Sequence, residues 1–368
     1  MLEQIGHRLE QIRALNRSGR LRIMNVCGGH ERAIAQAGLR SLLPDTLQLI
    51  PGPGCPVCVC PEQDLYQAIQ WALGEPVTLV SFGDMLRVPV NAPRHQVRSL
   101  EQARAAGADV RPIASPRDAL RIAQEHPERP VIFHAVGFET TLAPIAALIR
   151  QGLPDNLFLL MSGRRTWPAV AMLLESAEAA LDALIAPGHV ATVMGPEEWD
   201  FVATRHALPV AVAGFTPDSL LAAIQSLLEQ VGSGQPGCAN CYPVAVKPGG
   251  NPTARRCLAE CFEIIDADWR GIGVIPDSGY ALREAYQAHD ARRRFPEATG
   301  RQATYEMPPG CDCAQVVLGK IAPDQCRLYG AACTPRHPIG PCMVSEEGAC
   351  RIWWASGLRQ RRAVAEAG

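Results

Sequence analysis

The fold class is indicated by two segments of similar sequence, VTLVSFGDMLRVP at residues 77–89 and VIFHAVGFETTLAP at residues 131–144. Each begins with an apolar run typical of a buried strand and then passes through a glycine-containing turn to an acidic residue. The likeness suggests two related α/β units that face one cleft. The alternative is that every strand-to-helix turn favours glycine and an acid that caps the helix.

The same alternation of strands and helices extends over most of the chain. Short apolar runs predict strands at residues 21–26, 47–50, 77–82, 131–136, 157–161, 183–185 and 210–213. Helical patterns occur at residues 2–15, 61–73, 116–124, 140–150, 168–181, 252–262 and 282–295. This order predicts parallel sheets covered by helices, with functional residues in the loops at the carboxyl ends of the strands.

We therefore predict the α/β fold class, with two similar parallel-sheet domains facing a cleft and a small cysteine-rich domain. The predicted segments are an N-terminal helix at 1–20, α/β domains at 21–115 and 116–235, a helical connection partly returning to the first domain at 236–306, and the cysteine-rich domain at 307–368. The last segment has little periodicity and cannot bury much apolar surface alone, so we expect it to fold around a metal centre.

The composition excludes several classes of function. The chain has 368 residues, of which 47% are hydrophobic and 20% charged, so a disordered or fibrous protein is not expected. Its net charge of −2 provides no broad attraction to nucleic acid or to an anionic membrane. No apolar run approaches the ~20 residues that span a bilayer, and the N-terminus does not resemble a secretory signal. We expect a cytoplasmic protein without nucleic-acid or membrane partners.

The 14 cysteines indicate metal or redox chemistry, because a long chain without a secretory signal is not expected to rely on structural disulfides. Six of them lie between residues 311 and 350. Four of these six have the spacing C-x12-C-x6-C-x16-C, and they are Cys313, Cys326, Cys333 and Cys350. A [4Fe–4S] cluster, a structural zinc site and unligated thiols are all compatible with this group.

A second group of cysteines lies in GPGCPVCVCP at residues 52–61. The spacing Cys55-x2-Cys58 allows a reversible disulfide, and a turn or helix start lowers the pKa of a thiol at such a place. The motif follows an apolar strand, as redox motifs do. We interpret it as a redox pair, with half of a zinc site as the alternative. Cys60 is either a resolving thiol or a residue without a role.

Weaker signals come from single residues at predicted strand ends. Cys27 and His30 in VCGGHER can bind one metal, form a nucleophilic Cys–His pair, or be buried for structural reasons. His189 also follows a strand, and alone it is more typical of a structural residue. Four further cysteines have a spacing compatible with zinc or with plain thiols, and they are Cys238, Cys241, Cys257 and Cys261.

Six motifs, taken in order, resemble one family over essentially the whole chain. They are CGGH at residues 27–30, GPGCPVC at 52–58, FGDMLRVP at 82–89, GFETT at 137–141, PGHV at 187–190 and GPCMVSEEGAC at 340–350. The chain is similar to the HypD family of hydrogenase maturation factors, which helps to build the Fe(CN)2CO unit of [NiFe] hydrogenases. The resemblance implies two α/β domains around a cleft and a smaller domain that holds a [4Fe–4S] cluster.

The resemblance also implies roles for individual residues. The cluster would be held by the four cysteines of the C-x12-C-x6-C-x16-C pattern and not by Cys311 or Cys342. Cys27 would hold the iron being assembled, with His30 beside it. Cys55 and Cys58 would be the redox pair next to the cluster. Further candidates in the cleft are Asp84, Glu139, Thr140, Thr141 and His189.

The activity implied by the resemblance is that of an assembly scaffold with redox capability. A small partner, HypC, supplies its own cysteine to the iron, and HypE delivers cyanide from a thiocyanate. Soft thiolates suit low-spin iron with cyanide and carbonyl ligands, and a cluster beside a dithiol would supply the electrons that cyanide release needs. One alternative is a cluster-dependent disulfide oxidoreductase resembling ferredoxin–thioredoxin reductase, which has no use for Cys27 and His30. Another is a zinc-stabilised interaction module.

The chain departs from the family pattern at several positions without losing a proposed ligand. Glu31 stands in place of a more common threonine, and Trp353 and Trp354 replace a common tyrosine pair. Smaller differences are Val90 for glycine, Ala191 for serine and Thr216 for glutamate.

Overall fold

The strands occur where the apolar runs predict them. The computed structural model describes residues 2–16, 19–176, 180–297 and 306–358. Its strands are β1 (Leu21–Asn25), β2 (Leu47–Pro51), β3 (Thr78–Phe82), β4 (Val110–Ile113), β5 (Val131–Gly137), β6 (Leu157–Gly163), β7 (Ala183–Pro187), β8 (Val210–Ala213), β9 (Cys238–Asn240), β10 (Phe262–Trp269) and β11 (Gly273–Leu282). All seven predicted strands are present, whereas β4, β9, β10 and β11 were not predicted.

The helices connect these strands. They are α1 (Leu2–Leu15), α2 (Gly28–Gln36), α3 (Leu39–Leu42), α4 (Pro56–Val59), α5 (Glu62–Gly74), α6 (Leu100–Ala105), α7 (Pro116–Glu125), α8 (Glu139–Gln151), α9 (Thr166–Glu175), α10 (Gly188–Met194), α11 (Asp200–His206), α12 (Pro217–Ser233), α13 (Pro252–Cys261), α14 (Ala291–Arg294), α15 (Cys313–Val317) and α16 (Ala349–Ala355). Short 3-10 helices occur at Gly83–Arg87, Pro196–Trp199, Glu284–His289, Pro323–Gln325 and Pro341–Met343. None of the described helices is long and apolar enough to cross a bilayer.

Two parallel sheets confirm the α/β class. The first has the strand order β2-β1-β7-β8-β9 and the second the order β4-β3-β5-β6. In the second sheet, β5 and β6 pair over seven residues, and every residue of both strands is buried. Helices cover both faces of such sheets, which explains why these strands appear in the sequence as unbroken apolar runs.

Each sheet takes strands from both predicted α/β segments. β1 and β2 come from residues 21–115 and β7 and β8 from residues 116–235, yet all four lie in the first sheet. The second sheet combines β3 and β4 with β5 and β6. The predicted boundary at residue 115 therefore does not separate the sheets. Apolar periodicity shows where a strand lies but not which strand it pairs with, and the chain leaves the first sheet after β2 and returns at β7.

The segment 236–306 contains less helix than predicted. β9 extends the first sheet, and β10 and β11 form an antiparallel hairpin. In place of a helix at 282–295, the chain has the end of β11, the 3-10 helix Glu284–His289 and the short α14. Leu282 and Phe295 are buried from these different conformations. The helical spacing therefore marked which residues are buried rather than the conformation that buries them.

The cysteine-rich tail shares a core with the second sheet. Its buried residues Val316 and Tyr329 belong to the same apolar cluster as Leu79 of β3 and Val136 of β5. The described part of the tail, residues 306–358, contains short helices and turns. It packs on the rest of the chain instead of enclosing a core of its own. Residues 359–368 of the predicted domain lie outside the described part of the chain.

Candidate functional site

Cys27 lies two residues after the end of β1, at the N-cap of α2. Its carbonyl accepts a hydrogen bond from the backbone N–H of Glu31 at 3.0 Å, and the N–H groups of Gly29 and His30 face its thiol. Burial, followed by the carboxylate of Glu347, raises the pKa of the Cys27 thiol to about 12. The thiol is therefore protonated at neutral pH until a cation approaches it.

The GPGCPVC loop packs against Cys27, because β1 and β2 are parallel neighbours whose carboxyl ends lie side by side. The N–H of Gly52 donates to the Asn25 carbonyl at 2.9 Å, and the N–H of Gly28 donates to the Gly54 carbonyl at 3.1 Å. A Cβ on Gly54 would lie 2.4 Å from the Cα of Cys27. Glycine is needed here because two backbones approach closely.

Cys55 and Cys58 form a disulfide, with their Cα atoms 5.3 Å apart. Cys55 occupies the N-cap of α4, and its Sγ accepts a hydrogen bond from the N–H of Cys58 at 3.1 Å. Both residues are buried. The two thiols are therefore placed for the reversible bond that the CxxC spacing predicts, and their redox role stays a prediction.

A small cavity brings the cysteine sites together. Its volume is about 10 Å³, roughly the space of one water molecule. Its lining includes Cys27, Cys55, Cys342 and Glu347. The end of β1, the CPVC turn and the tail thus each contribute a thiol to one place.

Glu347 is a residue of this cavity that the sequence reasoning missed. Burial, followed by the carboxylate of Asp84, raises its pKa to about 7. A Cβ on Gly28 would lie 2.4 Å from the Glu347 carbonyl oxygen, so the tail backbone touches the first turn of α2. The residue lies in the quoted motif GPCMVSEEGAC, but two successive glutamates in a loop are typical of a solvated surface. Glu346 fits that expectation, since it pairs with Arg32 at the surface.

Asp84 lies beside the same tail segment. It belongs to the 3-10 helix Gly83–Arg87, which follows β3 of the second sheet. Its Oδ2 accepts a hydrogen bond from the Ser345 hydroxyl at 3.0 Å, while burial raises its pKa. The second sheet therefore contributes a carboxylate next to Glu347.

His30 and His189 both pack against Phe215, with ring centroids 4.7 Å and 3.8 Å from it. The Nε2–H of His30 donates to the Ala213 carbonyl at 3.0 Å, and burial lowers the pKa of its imidazole to about 4. His30 is therefore neutral at pH 7 and connects α2 to the end of β8. His189 is exposed at the start of α10. Neither histidine lines the small cavity.

The junction of β5 and α8 holds a group of residues apart from the small cavity, and they are Glu139, Thr140 and Thr141. Glu139 is fully buried and accepts hydrogen bonds from the backbone N–H of Thr166 at 2.8 Å and from its hydroxyl at 2.7 Å. Burial raises its pKa, and burial together with Glu139 raises the pKa of Glu198 to about 8. None of the three predicted residues lines the small cavity.

The thiols of the tail are gathered in its interior. The Sγ atoms of Cys311 and Cys313 are 3.4 Å apart, and the Sγ of Cys342 accepts a hydrogen bond from the N–H of Cys350 at 3.4 Å. A Cβ on Gly340 would lie 2.4 Å and 2.5 Å from the first two sulfur atoms. The predicted cluster ligands are all buried, and they are Cys313, Cys326, Cys333 and Cys350.

This donor set suits an iron–sulfur cluster. Thiolates are the usual cluster ligands, and the short helices and turns of the tail can present them from separate loops. The glycine at position 340 leaves no side chain between the sulfur atoms. Among the residues that the structure describes, no group of three or more His, Cys, Asp or Glu side chains has an arrangement that could hold a metal ion. The cluster and its four ligands stay a prediction.

The four cysteines between residues 238 and 261 do not form one group. Cys238 lies on β9 of the first sheet, where its thiol donates to the Pro196 carbonyl at 3.5 Å. Cys261 lies on α13, where its thiol donates to the Ala146 carbonyl of α8 at 3.3 Å. This placement contradicts the zinc interpretation of their spacing, because Cys238 packs in an apolar cluster of the first sheet and Cys261 in one of the second sheet.

Glu31 and Trp353, which the resemblance marks as departures from the family pattern, contact each other. The indole N–H of Trp353 donates to Glu31 at 2.7 Å. Glu31 is buried and also accepts hydrogen bonds from Asn25 at 3.0 Å and Arg40 at 2.8 Å. Arg40 lies over the Trp353 ring, 5.2 Å from its centroid. These contacts attach α16 of the tail to α2 and so help to hold the tail beside Cys27.

The fold and the site define a class of α/β protein with two parallel β-sheets. In this class a strand-end cysteine, a CxxC disulfide and a thiol-rich tail meet at one cavity. The chain belongs to the HypD family, since the family model described as "HypD: Hydrogenase formation hypA family" matches residues 3–357.

Curated relatives match along nearly their whole length. The chain is 41% identical over 353 residues to "Hydrogenase maturation factor HypD" of Azotobacter vinelandii, which covers 93% of this chain and 91% of that protein. It is 40% identical over 338 residues to the protein of the same name from Escherichia coli (strain K12), covering 91% and 88%. It is 38% identical over 362 residues to the protein of the same name from Rhodobacter capsulatus, and this match covers 97% of this chain and 94% of that protein.

Proposed function

We propose that this chain is a cytoplasmic hydrogenase maturation factor on which the Fe(CN)2CO unit is assembled, together with a HypC-type small protein and a HypE-type cyanide donor. Its membership in the HypD family supports hydrogenase maturation. The observation that carries the scaffold role is the cavity where Cys27, the Cys55–Cys58 disulfide and Cys342 meet.

Cys27 would bind the iron that is being assembled. A thiolate is a soft donor and suits iron that also carries cyanide and carbonyl ligands. Because the pKa of the Cys27 thiol is raised to about 12, binding of the iron must displace a proton. Glu347 lines the same cavity, and its pKa of about 7 lets its carboxylate accept that proton.

Cys55 and Cys58 would supply the reducing power. Release of cyanide from a thiocyanate breaks an S–C bond and takes up two electrons. Oxidation of the two thiols to the disulfide gives up two electrons and two protons, so the two half-reactions balance. A [4Fe–4S] cluster held by Cys313, Cys326, Cys333 and Cys350 would supply single electrons beside this pair.

The second candidate is a cluster-dependent disulfide oxidoreductase of the ferredoxin–thioredoxin reductase type. It is favoured by the disulfide and by the thiols of the tail. It gives no role to Cys27, although Cys27 lines the same cavity as Cys55. The scaffold function gives a role to Cys27, to the Cys55–Cys58 pair and to the thiols of the tail, and it is therefore preferred.

Complementation of a host that lacks its own HypD-family protein tests the proposal. We expect the Cys27→Ala variant to yield no active [NiFe] hydrogenase while the purified variant keeps the cluster absorbance of the wild type. Cys238→Ala is the matched control, because this half-buried thiol lies outside the cavity, and it should mature the hydrogenase normally. Maturation by Cys27→Ala would refute the scaffold role. Loss of the cluster absorbance in Cys27→Ala would refute the separation of Cys27 from the cluster ligands.

A further inference from the structure

An open pocket of about 640 Å³ lies between the segment after β3 and the cysteine-rich tail. One wall is formed by residues between 87 and 102, and the other by Pro308, Ala332 and residues 336–339 of the tail. No residue of this pocket lines the small cavity beside Cys27. The proposed function leaves this pocket without a role.

Positive charge is concentrated in this pocket. Its charged residues are Arg87, Arg94, Arg98 and Arg336, opposed by Glu101. Arg87 donates to the Pro335 carbonyl at 2.8 Å and lies 3.9 Å from Glu101. Arg94 and Arg336 are exposed to solvent. The whole chain has a net charge of −2, so the charge of this pocket is opposite in sign to that of the chain.

Only one stretch of backbone separates the pocket from the thiols of the tail. Ile339 lines the pocket, and its N–H donates to the Sγ of Cys333 at 3.4 Å. At the next residue, Gly340, a Cβ would lie 2.4 Å from the Sγ of Cys311 and 2.5 Å from that of Cys313. A molecule bound in the pocket therefore lies one layer of backbone away from the sulfur atoms of Cys311, Cys313 and Cys333.

We propose that this pocket is the docking site of an acidic protein that carries single electrons, of the reduced iron–sulfur or flavin class. The inference rests on the proposed function, because it names the partner that delivers reducing power to the Cys55–Cys58 pair. Exposed arginines from two separate chain segments suit a protein surface with several carboxylates. Their position puts the partner one layer of backbone from the tail thiols. Two of these thiols, Cys313 and Cys333, belong to the same apolar cluster as Cys55 and Cys58.

The reaction that this partner supports is balanced. Reduction of the Cys55–Cys58 disulfide breaks one S–S bond and consumes two electrons and two protons, which yields two thiols. Two molecules of a one-electron carrier are each oxidised once, and the protons come from water.

The experiment uses the full chain, purified without oxygen, and a plant-type [2Fe–2S] ferredoxin as the acidic probe. The test variant combines Arg94→Glu, Arg98→Glu and Arg336→Glu. The matched control makes the same change of charge at exposed residues outside the pocket, with Arg205→Glu, Arg256→Glu and Arg293→Glu. Arg87 is kept because it holds the tail loop. The Kd for ferredoxin is measured calorimetrically at about 20 mM and about 500 mM salt, since the Debye length falls from roughly 20 Å to about 4 Å.

We expect the test variant to bind ferredoxin at least about tenfold more weakly than the wild type at low salt, with little difference at high salt. The control should stay within about twofold of the wild type. Equal binding by the wild type and the test variant would overturn the proposal, as would an equal loss in the control. Binding of inorganic phosphate that the test variant loses, while its ferredoxin binding is unchanged, would identify a small-anion site instead.

Counting of released thiols separates this inference from the proposed function. Reduced ferredoxin should release two thiols per chain, and about tenfold more slowly from the test variant at low salt. Dithiothreitol is uncharged and should release them at equal rates from all three proteins. Release by dithiothreitol without salt-dependent ferredoxin binding would overturn the docking site and leave the dithiol intact. Maturation by Cys27→Ala would instead overturn the scaffold function, whatever is found at the pocket.

Discussion

Replacing Gly28 with alanine tests how closely the tail is held against Cys27. The added Cβ would lie 2.4 Å from the carbonyl oxygen of Glu347, 2.5 Å from its Cβ and 2.8 Å from its Cα. Non-bonded carbon atoms prefer separations of about 3.5–4.0 Å. These atoms are backbone or attached directly to it, so rotation of a side chain cannot remove the overlap. The tail must move away from α2 by roughly 1 Å.

Two opposing contributions set the expected change in the free energy of unfolding. Overpacking of this kind costs about 1–3 kcal/mol, whereas alanine in place of glycine inside a helix gains up to ~1 kcal/mol. We expect Gly28→Ala to destabilise the protein by about 1–2 kcal/mol. The control is Gly6→Ala in α1, where nothing lies within 4 Å of the added Cβ. It should stabilise the protein by up to ~1 kcal/mol.

Urea unfolding measures both changes, and alkylation of Cys27, followed by peptide mass spectrometry, provides a second readout. Displacement of the tail should expose the Cys27 thiol and move Glu347 away from it, so alkylation should be faster in Gly28→Ala and unchanged in Gly6→Ala. If Gly28→Ala is as stable as the wild type and its Cys27 is alkylated at the same rate, the close contact between the tail and α2 is refuted.

Three further predictions concern single groups. Glu347→Gln removes a negative charge that raises the pKa of Cys27, so the midpoint of Cys27 alkylation against pH should fall; an unchanged midpoint would show that Glu347 has no influence on the thiol. The pKa of His30 is lowered from 6.5 to about 4, so the unfolded chain binds a proton in this range while the folded chain does not, and stability should fall as the pH drops from 6.5 to 4. His30→Asn should reduce that fall by up to roughly 3 kcal/mol in urea unfolding, and an identical pH profile would contradict the burial of a neutral imidazole. Cys311→Ala should leave the absorbance and iron content of the protein unchanged, and a bleached variant would show that the wrong four ligands were chosen.

The sequence predicts the strands well, because fully buried parallel strands such as β5 and β6 appear as unbroken apolar runs. It does not predict their partners. The pairing of β1 with β7 joins residues about 160 positions apart, and nothing in either run specifies that contact. The antiparallel hairpin of β10 and β11 was missed because exposed apolar residues, such as Ile264 and Val274, hide its alternation.

The proximity of Cys27 and Cys55 could be predicted, because it depends on strand ends. Cys27 and Cys55 follow neighbouring parallel strands, so the rule that function gathers at carboxyl ends places them together. Glu347 escaped prediction, because its burial depends on how the tail folds back over α2. Glu139 was grouped with the cleft residues because of its motif, although its hydrogen bonds join it to Thr166.

Mössbauer and infrared spectra of the protein purified without oxygen, alone and with a HypC-type partner, show whether the Fe(CN)2CO unit forms on Cys27. We expect a [4Fe–4S] signal, together with cyanide and carbonyl stretching bands that disappear in Cys27→Ala. A cluster signal without those bands, in protein bound to its partner, would contradict the scaffold and favour the disulfide oxidoreductase. Zinc in place of iron would contradict both.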